Sequence, residues 1–204
     1  MDHIIIPQSY REFYKEYTGS LICAIEYVLA QTEIISENCR KASGRDLIEN
    51  VRYRIKSPES MREKLLTHSL EINAENAVYS VYDAAGIRIV TSFLEDIEII
   101  AEQLKQVSGL KLVSEKNYIT YPKANGYRSY HLIFEVGLQP KVYVEVQLRT
   151  VAMDTWAAAD HRILYKRLPP DSNYIAQELK RCAEELARID MTLQKLVSAY
   201  LSQQ

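Results

Sequence analysis

Val142-Tyr-Val-Glu145-Val-Gln147-Leu-Arg149-Thr150 is the stretch that decides the fold. Val142, Val144, Val146 and Leu148 alternate with Tyr143, Glu145, Gln147 and Arg149. A period of two therefore puts the apolar side chains on one face of a strand, and the carboxylate, amide and guanidinium on the other. One face lies on a core and the other carries chemistry. Upstream, the same count aligns Tyr127, Ser129 and His131 on one surface, with Arg128, Tyr130 and Leu132 pointing the other way. Asp83-Ala-Ala-Gly86-Ile-Arg88 is the third block with polar groups on a strand or its edge.

Working outward, the pattern predicts a mixed central sheet of four to five strands flanked by helices, an α/β (α+β) class, with long N- and C-terminal helices. The strands are a segment over 50–56, a buried strand from Tyr79 to Ser92, Leu110 to Ser114, Ser129 to Val136 and Val142 to Arg149. Gly137 to Pro140 reads as a hairpin turn. Apolar residues at helical spacing from Ser9 to Asn38 predict one long amphipathic helix, Ser9 being its N-cap. Pro58 opens a helix running to about Ile72, Leu94 to Val107 is another that Gly109 ends, and Val151 to about Leu168 runs until Pro169-Pro170.

Ser172 to Ser202 is the last helix. Ile175, Leu179, Cys182, Leu186, Ile189, Leu193, Leu196 and Tyr200 form a seam along it in steps of three and four. That stripe needs a cover, either the N-terminal helix of the same chain or another subunit. The whole, 1–204, reads as one domain: a core over about 51–166 with helical arms over 8–42 and 172–203.

With 204 residues the chain suits a single well-filled domain with helical extensions. A hydrophobic content of 47% with 25% charged residues excludes extensive disorder, and a net charge of −2 speaks against binding nucleic acid through the bulk field. Three cysteines, widely spaced and without a Cys-x-x-Cys pair, disfavour a disulfide framework or a zinc site and suggest a reduced, cytoplasmic protein. No stretch approaches the roughly 20 apolar residues of a membrane helix.

Asp83 and Glu145 are the carboxylates to pair, since burying them beside basic residues is costly unless a cation or substrate is bound. Mg²⁺ suits them: it takes one or two carboxylates together with substrate phosphates. The alternative is two salt bridges, Asp83 with Arg88 and Glu145 with Arg149. Neither a P-loop nor a G-x-G-x-x-G is present, so phosphates must be held by cations such as Arg54, Lys56, Arg62, Lys64, Arg88, Lys123 and Arg128. Tyr127, on the turn after Asn125-Gly126, is either a stacking ring or a core residue.

Asp83-x-x-Gly86-x-Arg88, Lys123-x-Asn125-Gly126-Tyr127-Arg128-Ser129-x-His131, Glu145-Val-Gln147-Leu-Arg149-Thr150 and Ala152-Met-Asp154-x-Trp156-Ala157, with His161 and Tyr165-Lys166, closely resemble the RelA/SpoT-type (p)ppGpp synthetase domain. The likeness runs from about Val51 to Lys166. The short helical flanks are similar to those of stand-alone small alarmone synthetases, and nothing resembles the hydrolase half or the regulatory domains of the long members.

The resemblance implies transfer of pyrophosphate from ATP to the 3′-hydroxyl of GDP or GTP, and a homotetramer built through the terminal helices. It implies that Asp83 and Glu145 hold Mg²⁺, with Glu145 able also to accept the hydroxyl proton. Arg54, Lys56, Lys64 and Arg88 then bind ATP. Tyr127 stacks on guanine, Lys123, Arg128 and His131 contact the acceptor's phosphates, Gln147 joins the acceptor side, and Asp154 accepts from guanine N1 and the exocyclic amine. Thr67, Asn117 and Asp160 depart from the family pattern, where arginine, aspartate and glutamate are common. Two further readings keep part of this: a toxin-type enzyme that modifies the 3′ end of tRNA, and a non-catalytic guanine-nucleotide-binding module.

Overall fold

The computed structural model describes residues 4–164 and 172–202. Its sheet has five strands, β1 (Ile48–Ile55), β2 (Ala85–Thr91), β3 (Leu110–Asn117), β4 (Tyr130–Val136) and β5 (Val142–Thr150), in the order β1-β2-β5-β4-β3. Only β2 and β5 run parallel; the other neighbours are antiparallel, so the sheet is mixed as expected. Alternation in β5 sorts as read: Val142, Val144, Val146 and Leu148 are fully buried.

They pack with Leu132 and Phe134 of β4 and Ile87 and Ile89 of β2 against two helices, α2 (Tyr17–Ser43) and α5 (Leu94–Lys105). Those helices contribute Leu21, Ile25 and Val28, and Ile97, Ile100 and Leu104. Each such side chain stabilises the fold by about 2 kcal/mol, so a charged residue at any of them would expel the helix from the sheet. The opposite face of the sheet is left open.

Four expectations change. The N-terminal helix is two, α1 (Gln8–Tyr14) and α2, because Lys15 takes φ 50° and its N–H closes α1 on Arg11 O. The helix opened by Pro58, α3 (Pro58–Thr67), stops five residues early. A six-residue helix, α4 (Ala74–Tyr79), follows, capped by Asn73, whose side chain accepts from Asn76 N at 2.8 Å, so the buried strand starts only at Ala85.

The fourth change concerns α7 (Ser172–Leu201), whose seam does not lie on the N-terminal helix. It packs on α6 (Val151–Leu164) through Leu179 and Ala183, on the end of β5 through Asp190 and on α5 through Gln194, leaving Ile189, Leu193, Leu196 and Tyr200 exposed. The expected stop at Pro169-Pro170, and Tyr165-Lys166, lie outside the described residues.

Candidate functional site

Register places the chemistry. One row across the open face reads Arg52, Arg88, Gln147, His131 and Lys116 from β1 to β3, and the neighbouring row reads Arg54, Gly86, Glu145, Ile133 and Ser114. Gly86 leaves its position bare, and the Arg54 side chain lies 3.9 Å from where a Cβ would be. Glu145 thus sits at the sheet centre between arginines on one side and His131 on the other.

Glu145 belongs to a closed ring of hydrogen bonds. Arg149 Nη2 donates to Tyr127 Oη at 2.9 Å, and Tyr127 Oη meets His131 Nε2 at 2.8 Å. His131 Nδ1 meets Glu145 Oε1 at 3.1 Å, Gln147 Nε2 donates to Glu145 Oε2 at 2.8 Å, and Arg149 Nη2 donates back to Gln147 Oε1 at 2.8 Å. Both ring nitrogens of His131 are thus engaged, one by Tyr127 and one by Glu145. Burial pushes the Glu145 carboxyl up, but the hydrogen bond and charge of His131, helped by Gln147 and Lys64, win and hold it at about 2.

Asp83 lies just before β2. Its Oδ2 takes both Lys56 Nζ at 2.5 Å and Lys64 Nζ at 2.6 Å. Lys56 sits at the end of β1, where Tyr14 Oη of α1 donates to its carbonyl at 2.7 Å. Lys64 projects from α3, which Ser57 caps by accepting from Ser60 N. Burial lowers the pKa of Lys56 despite the Asp83 carboxylate.

The two salt bridges of the alternative reading, Asp83 with Arg88 and Glu145 with Arg149, do not form. Arg88 and Arg149 converge instead on Asp154 Oδ1, at 3.1 and 3.0 Å, so this carboxylate, expected on guanine, is engaged by two guanidiniums. Lys64 links the two acids, being bonded to Asp83 while its charge also lowers Glu145.

Among the described residues no group of three or more His, Cys, Asp or Glu gathers to cage a metal. What exists fits a cation that keeps water and substrate ligands: an ionised Glu145, and an Asp83 whose Oδ1 is buried without a partner.

Three spaces open on this face. A cleft of about 630 Å³ is lined by Arg54, Arg88, Tyr127, Gln147, Arg149 and His161. A second of 180 Å³ lies over Arg52, Arg54, Gly86 and Glu145, and a third of 160 Å³ over Lys116, Tyr118, Lys123 and His131, with Glu145 in the walls of both. The Lys123 ammonium stands 4.9 Å from the Tyr118 ring centre and 5.0 Å from that of Tyr127. Tyr127 is therefore a cleft residue.

Two expected site groups lie elsewhere. Ser129 is fully buried and donates to Leu148 O, because the strand pairing of β4 starts one residue later and its hydroxyl falls beneath β5. Arg128 turns away from the cleft to Gly126 O and Ala183 O of α7, consistent with its alternation opposite Tyr127. Of the departures from the family pattern, Thr67 bonds Glu63 O at the end of α3, Asn117 caps Ile119 N and Thr120 N, and Asp160 lines the large cleft. Sequence reasoning gave Arg149 a face but no role, although it joins Asp154, Gln147 and Tyr127; its place two residues after Gln147 was the available signal.

Residues 53–169 match the family model described as the region found in RelA / SpoT proteins. The chain is 40% identical over 166 residues to the GTP pyrophosphokinase YwaC of Bacillus subtilis (strain 168), covering 79% of each. Its fold superposes on the small alarmone synthetase 1 from Bacillus subtilis bound to its product pppGpp with a TM-score of 0.80 and 29% identity, covering 88% of this chain and 93% of that one. The same enzyme bound to AMPCPP gives 0.75 and 26%, covering 93% and 98%.

Proposed function

The chain belongs to the RelA/SpoT family, and on that premise we propose that it is a GTP pyrophosphokinase, transferring pyrophosphate from ATP to the 3′-hydroxyl of GDP or GTP to make (p)ppGpp. The observation that carries this reading is Glu145, kept ionised by His131 and standing in the walls of two pockets that are basic for different reasons. One is lined by arginines of β1 and β2 and suits ATP; the other has Lys123 between two tyrosines and suits the acceptor.

Catalysis of this class is positioning and charge neutralisation rather than covalent chemistry. On the donor side Arg54 and Arg88 offer guanidinium planes to adenine, Arg88 being held in orientation by Asp154. Lys56 and Lys64 approach the phosphates from the Asp83 side. Asp83 and Glu145 would hold Mg²⁺, which when bound offsets the negative charge of the donor phosphates.

On the acceptor side Tyr127 stacks on guanine while Lys123 and His131 meet the phosphates. Glu145 accepts a hydrogen bond from the 3′-hydroxyl, turning its oxygen toward the β-phosphorus of ATP as AMP leaves. A carboxylate so weakly basic orients the nucleophile, whose proton passes to solvent as the new O–Pβ bond forms and the Pβ–O bond to AMP breaks. Gln147 fixes the rotamer of Glu145, and Arg128 has no part in this reading.

Assembly as a homotetramer through the terminal helices is part of the proposal and is supported by the bare apolar stripe of α7. Residence in the cytoplasm is supported by Cys23, Cys39 and Cys182 being unpaired thiols. Among the described residues no helix is long and apolar enough to cross a membrane. The test is to incubate the pure protein with Mg²⁺ and β- or γ-labelled ATP against GMP, GDP, GTP and uncharged tRNA. Label should pass to GDP or GTP in the wild type and to nothing in Asp83→Ala or Glu145→Ala; turnover in either variant refutes its role, and label on tRNA alone replaces the acceptor.

A further inference from the structure

α7 grips the acceptor side at three points. Trp156 Nε1 donates to Leu179 O at 2.6 Å. Arg128 Nη1 reaches Gly126 O at 3.2 Å and Ala183 O at 3.4 Å. Thr150 Oγ1 donates to Asp190 Oδ2 at 2.8 Å, and the same oxygen accepts from Met153 N at 3.2 Å. Asp190, 4% exposed, thereby fixes the joint where β5 becomes α6.

Packing between these bonds is close. Gly126 has φ +94°, and a Cβ there would stand 2.7 Å from that of Ala183. Trp156, Leu179 and Ala183 form a small apolar cluster separate from the main core, and Tyr127 packs on it, its ring centre 6.4 Å from that of Trp156.

Tyr127 belongs to the connection between β3 and β4, not to a strand, so its backbone is held only within the loop, its N–H donating to Asn125 Oδ1 and its carbonyl accepting from Lys123 N, both at 3.2 Å. Its hydroxyl is tied to His131 and Arg149, and the rest of the ring is backed by Trp156, which is itself oriented by its bond to α7. We propose that Trp156 and Asp190 are positioning residues through which docking of α7 sets the affinity of the acceptor pocket for a guanine nucleotide. This rests on the reading of Tyr127 as the platform for the acceptor base. Of the donor side, Arg54, Lys56 and Lys64 are carried by β1, its end and α3, β1 being the strand at the far edge of the sheet from β3, and Arg88 alone meets α6, through Asp154.

The test compares Asp190→Ala and Trp156→Phe with the wild type by KM for GDP, KM for ATP, kcat, and calorimetric Kd for GDP and for a non-hydrolysable ATP analogue. Loss of one buried hydrogen bond behind the pocket should raise KM and Kd for GDP about tenfold, those for the ATP ligand by less than about twofold, with kcat held at saturation. Asp190→Asn keeps an acceptor for Thr150 and should restore the GDP values. Unchanged GDP binding in both variants overturns the proposal, as does equal weakening of both nucleotides. If Asp190→Ala melts without cooperativity, Trp156→Phe, which keeps an aromatic ring while removing the donor and part of the indole's bulk, decides alone. A wild type that binds GDP yet transfers nothing would sink the synthetase reading and leave this binding comparison standing.

Discussion

Burial pushes the Glu145 carboxyl up, and His131, joined by Gln147 and Lys64, holds it down. Its folded value of about 2 lies below the value near 4.3 of an unfolded chain, so its contribution to stability is complete above about pH 4.3 and is lost as pH falls toward 2. Urea midpoints measured across that window should drop more steeply for the wild type than for Glu145→Gln; parallel curves would show that His131 does not lower this carboxyl. Catalysis gives a second reading of the same contact. Because the acid stays charged, no acidic limb from Glu145 enters kcat/KM at neutral pH, and His131→Ala, which leaves burial opposed only by Gln147 and Lys64, should move that limb upward. A profile left in place by His131→Ala would mean another group sets it. That Glu145 matters was legible from its alternation within β5; that His131 is its partner was not, since pairing of β4 with β5 is a matter of register that neither segment encodes alone.

At the scale of elements, the strands that pack against the core were readable because burial on one face imposes the period of two along β5 and β4. What escaped were places where local backbone decides. α4 has six residues, too few to show a helical period, and is announced only by the Asn73 cap. The break between α1 and α2 turns on Lys15, whose φ of 50° a side chain with a Cβ adopts only under strain. Lys15→Gly should relieve more strain than it adds unfolded-chain entropy and stabilise the protein by about 1 kcal/mol, read as a raised Tm. A lowered Tm would mean that the Lys15 side chain supports the bend itself. On α7 the hydropathy seam was real but its docked face was misjudged, since Ala183 and Asp190 meet α6 and the acceptor loop through small size and a hydrogen bond, neither of which hydropathy weighs.

Across the whole molecule the two faces of α7 do different work. The inner face joins the helix to α6 and the acceptor loop, while Ile189 (50% exposed), Leu193 (41%), Leu196 (62%) and Tyr200 (62%) stand in water on the outer. A stripe of that kind on a folded chain is covered by association, and closed symmetry makes a second copy the natural cover. Leu193→Asp combined with Leu196→Asp removes nothing from the core, so the single chain should keep its cooperative melt and far-UV spectrum. Its sedimentation coefficient should fall to that of a smaller species, since a ring of like charges at a self-complementary contact repels its own copy. If wild type and variant sediment alike as the larger species, the tetramer is built on other surfaces, and if both sediment as 23.6 kDa monomers there is no tetramer to build. Should the variant dissociate and its KM for GDP rise while that for ATP holds, assembly and acceptor binding are coupled through one helix, because α7 is the element whose opposite faces carry both.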